Sequence, residues 1–226
     1  MTQDKQLALN LGHRPAFGRD DFLVADGNRE AVEWIDRWPN WSGQVLAIVG
    51  PAGCGKSHLS QVFALRTGAR VLQPTEITPD TIAGLVEHHS ALVVEDGEKV
   101  LEPRALLHLF NALVEKRGHL LLTTREAPAR WPVSLADLKS RLSAVPMVRI
   151  APPDDTMMEA VLVKLFADRQ IHVTPDVVAY LLRRMDRSFA AARRIVDLAD
   201  NAALAGQRAV TIPLVKEMLD REMGER

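Results

Sequence analysis

Between Gln44 and Ile150, short apolar runs alternate with longer segments of helical periodicity. That alternation predicts a parallel sheet whose strands are joined by crossover helices. The strand candidates are residues 45–49, 70–72, 91–95, 119–123 and 147–150. Thr78-Pro79-Asp80 reads as an N-cap with proline at the first helical position and opens a helix over 81–88, and Glu102-Pro103 opens one over 104–116 in the same way. Further helices are expected around 29–38, over 58–66 and over 134–142, the last a short one ahead of the final strand. Ala151-Pro152-Pro153-Asp154-Asp155 then breaks the pattern. Beyond it the periodicity predicts only helices, over 156–169, 175–185 (capped by Thr174), 189–205 (capped by Ser188) and 213–223. The expected division is a polar leader over 1–15, an α/β domain over 16–151 and a small helical domain over 152–226.

Composition narrows the classes. The chain has 226 residues, 47% of them hydrophobic, which is ample for a core. A formal net charge of −1 gives the chain as a whole no nucleic-acid-like electrostatic footprint. The single cysteine, Cys54, excludes an intramolecular disulfide and favours a reducing compartment. The first residues lack a basic segment followed by an apolar one, and no apolar run reaches membrane-spanning length, so a soluble cytoplasmic protein without a membrane partner is expected. The seven histidines form no ligand-like cluster, so no metal site beyond a nucleotide-bound Mg²⁺ is indicated. Trp34, Trp38 and Trp41 lie at helix-like spacing and read as packing residues rather than a base-stacking platform. Arg183, Arg184, Arg187, Arg193 and Arg194 form the most basic stretch, which reads as a solvated helix face or, in part, as a face turned to phosphates.

The sharpest motif follows the first strand. Gly50-Pro51-Ala52-Gly53-Cys54-Gly55-Lys56-Ser57 fits the phosphate-binding pattern G-x-x-x-x-G-K-[ST], between an apolar strand and an amphipathic helix that begins at His58. In such a loop the glycines permit a tight turn, successive N–H groups and the helix N-terminus face phosphates, Lys56 reaches the terminal phosphates and Ser57 ligates Mg²⁺. The nucleotide contacts are therefore assigned to Gly50, Pro51, Ala52, Gly53, Cys54, Gly55, Lys56, Ser57 and His58, with no catalytic role for Cys54.

A phosphate loop needs acidic residues at the end of another buried strand. Ala91-Leu92-Val93-Val94-Glu95-Asp96 supplies them, with Glu95 in the metal-side position and Asp96 in the catalytic-acid position. Usual pairs run Asp-Glu or Asp-Asp, and the longer Glu95 is expected to displace the metal geometry and slow hydrolysis. At the end of the next strand candidate, Thr124 is the expected sensor of the terminal phosphate or the attacking water, with Thr123 the alternative. Arg141, on the helix before the last strand, is either a solvated surface residue or a guanidinium aimed at a nucleotide on a neighbouring molecule. In the leader, Gln6-Leu7-Ala8-Leu9-Asn10-Leu11 sets three leucines at alternate positions. It reads as a linear peptide that docks extended in a partner's apolar groove, or as a strand on the protein's own surface.

In this order, the phosphate loop, acidic strand end, polar strand end, pre-strand arginine and four-helix module resemble the AAA+ ATPases of the bacterial DnaA clade, and within it the Hda family of replication regulators. Arg19-Asp20-Asp21-Phe22-Leu23-Val24-Ala25-Asp26-Gly27-Asn28-Arg29 resembles the clade's adenine-packing segment, which implies nucleotide contacts at Phe22, Leu23, Val24 and Asn28. Asp137-Leu138-Lys139-Ser140-Arg141-Leu142 resembles the box that bears the arginine finger, placing that role on Arg141 in trans. The leader resembles the sliding-clamp-binding peptide of Hda amino termini, implying clamp contacts by Gln6, Leu7, Leu9 and Leu11. Residues 211–219 resemble the Hda carboxyl-terminal helix.

The resemblance implies an α/β AAA+ P-loop NTPase core, with a five-stranded parallel sheet flanked by helices, followed by a small all-α lid. It implies bound ADP or ATP with Mg²⁺, and DnaA and the DNA polymerase III β sliding clamp as partners. The expected function is a clamp-bound adaptor that stimulates ATP hydrolysis by DnaA and so restrains replication initiation, with little or no turnover of its own. DnaA continues past the lid into a DNA-binding domain and this sequence ends at Arg226, so direct sequence-specific DNA reading is not expected. A homo-oligomer is compatible with the resemblance. The lid arginine of the clade aligns with Ala190, with Arg193 and Arg194 on the next turn. The competing readings are a self-contained AAA+ ATPase such as a DnaC-like helicase loader, and a small P-loop kinase.

Overall fold

The computed structural model describes residues 23–206 and 208–224. The described residues up to Ala151 and those from Pro152 belong to two compact units. The first contains α1 (Arg29–Asp36), β1 (Val45–Val49), α2 (Lys56–Thr67), β2 (Arg70–Leu72), α3 (Pro79–His88), β3 (Ala91–Val94), α4 (Pro103–Glu115), β4 (His119–Thr124), α5 (Ala136–Ala144) and β5 (Met147–Arg149). The second contains α6 (Asp155–Asp168), α7 (Pro175–Leu182), α8 (Phe189–Gly206) and α9 (Ile212–Gly224).

All strand pairs are parallel, in the order β2-β3-β4-β1-β5. The central strands read VLAIV, ALVV and HLLLTT without polar alternation because both faces of the sheet are covered. Ala47, Val49, Leu92, Val94, Leu120 and Leu122 pack with residues of α3, α4 and α5. Leu46, Ile48, Ala91, Val93, Leu121 and Val148 pack on the opposite face with residues of α1 and α2. The tryptophans do pack: Trp41 stacks on Phe63 at 5.4 Å between ring centroids, and Trp38 meets the same ring edge-on at 6.1 Å.

The register brings the carboxyl ends of β1 and β4 level, with Val49 opposite Thr124. The Gly50 N–H donates to the Thr124 carbonyl at 3.1 Å, which extends β4 one residue past its expected end. β3 stops one residue early at Val94, because the chain turns at Glu95 to begin a 3₁₀ turn over Gly97–Lys99. β5 likewise ends at Arg149, although the Ile150 N–H still donates to the Val49 carbonyl at 2.8 Å.

In the second unit one apolar cluster, including Leu162, Phe166, Leu181, Val196 and Val215, joins residues of all four helices. The α6 N-terminus is capped by Asp154, which accepts from the Met157 N–H at 2.7 Å, and α8 by Ser188, which accepts from the Ala191 N–H at 3.1 Å. Thr174 precedes α7 as expected, but its hydroxyl makes no capping bond. That helix ends at Leu182 rather than residue 185. Among the described residues no helix is long and apolar enough to cross a membrane.

Candidate functional site

The segment between β1 and α2 is folded as a cradle by its glycines. Gly53 and Gly55 have φ of 73° and 104°, a left-handed conformation that side chains with a Cβ rarely adopt. A Cβ on Gly50 would lie 2.7 Å from both the Ile150 carbonyl oxygen and Cys54 Sγ, so only glycine lets the strand end pass β5 so closely. Cys54 itself is buried, and burial pushes its thiol pKa up, which leaves the sulfur a packing atom rather than a nucleophile. Lys56, the first residue of α2, is only 7% exposed, and its Nζ donates to the carbonyls of Gly50 at 2.7 Å and Pro51 at 2.8 Å. A buried ammonium held by the carbonyls of its own loop stands ready to exchange them for anionic oxygens. Ser57 and His58 follow on the first turn of α2, and Pro51 and Ala52 form the outer, exposed part of the loop.

The ends of β3 and β4 meet this loop selectively. Side chains alternate across a strand, so Val93, Glu95, Leu121 and Thr123 share the face that α2 covers. Ser57 Oγ donates to Glu95 Oε2 at 3.2 Å, while Glu95 Oε1 is buried without a hydrogen-bond partner. A serine hydroxyl beside a carboxylate whose other oxygen is buried and unpaired offers hard oxygen donors, so Ser57 and Glu95 fit two positions of an octahedral Mg²⁺ shell that waters and phosphates would complete. Asp96 turns elsewhere. It adopts φ 45° and ψ 48°, its N–H donates to Thr123 Oγ1 at 3.1 Å, and its Oδ2 accepts from Lys99 Nζ at 2.5 Å.

Thr124 lies on the other face. Its hydroxyl donates to the Glu126 carbonyl at 2.7 Å and accepts from Trp131 Nε1 at 3.3 Å, within the cluster that includes α4 and α5. The loops after β3 and β4 are tied further: the Arg125 N–H donates to Glu98 Oε1 at 3.1 Å, and a Cβ on Gly97 would strike the Trp131 ring at 2.7 Å. Sequence reading passed over Lys99, Glu98 and Trp131. Strand parity was the available signal for Thr123, because it shares a side of the sheet with the metal-side acid.

Arg141 sits on α5, where Leu138 and Leu142 face the core and Asp137 and Arg141 flank them. Its Nε lies 3.3 Å from Asp137 Oδ1, an ion pair along its own helix, and the side chain is 37% exposed. Near the start of the described chain, Asn28 is buried: its Oδ1 accepts from the Ala25 N–H at 2.9 Å and its Nδ2 donates to the Leu23 carbonyl at 2.9 Å. Leu23 is half-buried, and Val24 packs against the cluster of α1 and α2. Phe22 and the leader residues Gln6, Leu7, Leu9 and Leu11 lie outside the described residues. Among the described residues no group of three or more His, Cys, Asp or Glu side chains could hold a metal ion.

Residues 155–219, which span α6 to α8 and most of α9, match the family model for the lid domain of Hda. Domain III of the Thermotoga maritima replication initiation protein DnaA shares the fold with a TM-score of 0.75 at 17% identity, over 92% of this chain and 97% of that one. The chain has the fold of DnaA, and its helical unit resembles the lid domain of Hda. AMPPCP-bound DnaA from Aquifex aeolicus matches with a TM-score of 0.69 at 19% identity, over 93% of this chain and 71% of that one. The Thermotoga maritima RuvB Holliday junction branch migration motor matches at 0.72 and 12% identity, over 92% of this chain and 72% of that one. At identities this low the likeness shows a shared fold alone, and the lid match concerns residues 155–219. The cradle, Glu95 and Thr123 gather at the carboxyl edge of an open parallel sheet, where ligands of α/β proteins bind.

Proposed function

We propose that this protein is a DnaA-related regulator of replication initiation whose phosphate loop holds an adenine nucleotide and whose Arg141 acts on the nucleotide of DnaA. The observation that carries the reading is the Hda-type lid over residues 155–219 in a chain with the DnaA fold. On this reading Lys56 and the N–H groups of the Gly50–Ser57 loop hold the phosphates of ADP or ATP, and Ser57 with Glu95 holds Mg²⁺. When bound, Mg²⁺ neutralises phosphate charge and fixes the oxygens it touches. Leu23, Val24 and Asn28, with Phe22, form the base side of the site. Thr123 supports the strand-end polar role better than Thr124, since it bonds the Asp96 backbone while Thr124 is engaged with Trp131 and Glu126.

Arg141 supplies a guanidinium to a neighbouring DnaA molecule, where it stabilises charge developing on the transferred phosphoryl group, a role worth about 10³–10⁵ in rate. The leader peptide Gln6–Leu11 holds the protein on the β sliding clamp by its alternate leucines. A reconstitution tests this reading: ATP-bound DnaA is mixed with this protein, clamp loaded on DNA, or both. Hydrolysis is expected to rise only when both are present. Strong turnover by the protein alone, indifferent to DnaA and clamp, would instead favour a self-contained motor of the helicase-loader kind, which the fold shared with RuvB accommodates.

A further inference from the structure

Asp96 is held by three restraints that act independently. Its backbone takes a left-handed conformation, uncommon outside glycine although aspartate enters it more readily than most residues. Its N–H is bound by Thr123 Oγ1 at the end of β4. Its carboxylate is bound by Lys99, the last residue of the 3₁₀ turn that Asp96 itself opens. Nor is that turn free to drift. The Lys99 N–H donates to the Asp96 carbonyl at 2.8 Å, Gly97 is packed under the Trp131 ring, and Glu98 binds the Arg125 N–H. The ammonium of Lys99 is therefore presented to Asp96 by a turn anchored at both ends, whereas the neighbouring acid, Glu95, reaches Ser57.

Hydrolysis at the phosphate loop needs a carboxylate that orients a water and accepts its proton as the water oxygen bonds to the terminal phosphorus. The bond from that phosphorus to the bridging oxygen breaks, and ADP and phosphate leave. A carboxylate directed onto its own turn by an ion pair is misplaced for this task. We propose that Lys99 is a positioning residue that restrains Asp96, so that the protein retains its nucleotide with little turnover while the pair is closed. The proposal rests on the reading that the loop binds ATP and that Asp96 is its water-orienting acid.

Both side chains of the pair are partly exposed, 54% for Lys99 and 36% for Asp96, so the restraint is weak enough to be broken by a ligand or partner. A pair of this exposure biases an equilibrium by roughly two- to fivefold. Single-turnover hydrolysis of ATP labelled at the γ-phosphate, with binding of a fluorescent ADP analogue measured in parallel, tests it. Lys99→Met is expected to raise turnover about two- to fivefold with unchanged analogue affinity, and Lys99→Arg to keep the wild-type rate. Asp96→Asn alone is expected to lower turnover, and Lys99→Met added to it to give no gain over Asp96→Asn, because Lys99 acts only through that carboxylate. Unchanged turnover in Lys99→Met with intact binding overturns the proposal, as does a gain that survives Asp96→Asn. Failure of the wild-type protein to bind the analogue overturns the nucleotide reading itself, and the restraint with it.

Discussion

The two units keep their polar groups in opposite ways. In the α/β unit Asn28, Lys56, Ser60, Thr123 and Thr124 are buried, Glu95 Oε1 is buried without a partner, and Asp96 is left-handed. The described core of the helical unit is apolar, and its charged side chains pair near the surface: Arg169 with Asp197 and Asp200, Arg187 with Asp155, and Glu217 with both Arg208 and Arg221. Buried polar groups are costly unless satisfied, so they persist where function requires them. In the α/β unit Asn28, Lys56, Thr123 and Thr124 are hydrogen-bonded, and the cost falls on Glu95 Oε1 and the Ser60 hydroxyl. The helical unit is held chiefly by apolar packing, with its polar contacts at helix ends and on the surface.

The largest effect that would sharpen this contrast is in the helical core. Phe166 is fully buried, and Phe166→Ala is expected to cost about 3–5 kcal/mol, read as a lower urea midpoint for the transition that includes this unit. A loss below about 1 kcal/mol would mean that the cluster does not hold the unit together.

At the sheet edge the sign reverses. Glu95→Gln removes a charge whose second oxygen is unpaired, so the ligand-free protein is expected to be as stable as wild type or more stable, by up to about 1 kcal/mol. The same substitution should abolish the Mg²⁺ dependence of nucleotide affinity. Clear destabilisation with Mg²⁺ dependence intact would remove Glu95 from the metal role.

The smallest effect belongs to Asp155 and Arg187, paired at 2.7 and 3.0 Å on the surface. The hydrogen bond from Arg187, followed by its charge, holds the Asp155 carboxyl pKa below its ordinary value. A carboxyl depressed in the folded state adds stability that is fully present above its unfolded pKa and is lost as pH falls through its folded pKa. Arg187→Ala should therefore narrow the stability difference between pH 7 and acid pH only slightly. A large change there would contradict the view that surface pairs contribute little to the helical unit.

Much of this division was legible in the sequence because two strong periodicities switch at one proline-rich break. The strand runs of β1, β3 and β4 are uniformly apolar, and the helices beyond Pro152 carry apolar positions at helical spacing. The tight turn after β1 was legible for a different reason, since its glycines stand where the backbone must take positive φ. Contacts between distant residues were not. Nothing in the linear order brings Trp131 to Thr124 and Gly97, or pairs the Thr123 hydroxyl with the Asp96 N–H across 27 residues of sequence. Thr123 and Thr124 differ only in parity, and that decides which of two adjacent hydroxyls faces α2 and which serves as a packing post.

The central claim is that the chemistry this protein controls takes place on the nucleotide of DnaA. Its most direct test compares the wild-type protein with Arg141→Ala for stimulated ATP hydrolysis by DnaA on clamp-loaded DNA, with retention on the clamp measured in the same samples. The account predicts that Arg141→Ala stays on the clamp but loses stimulation by about 10³-fold, or down to the unstimulated rate. Full stimulation by Arg141→Ala would contradict it.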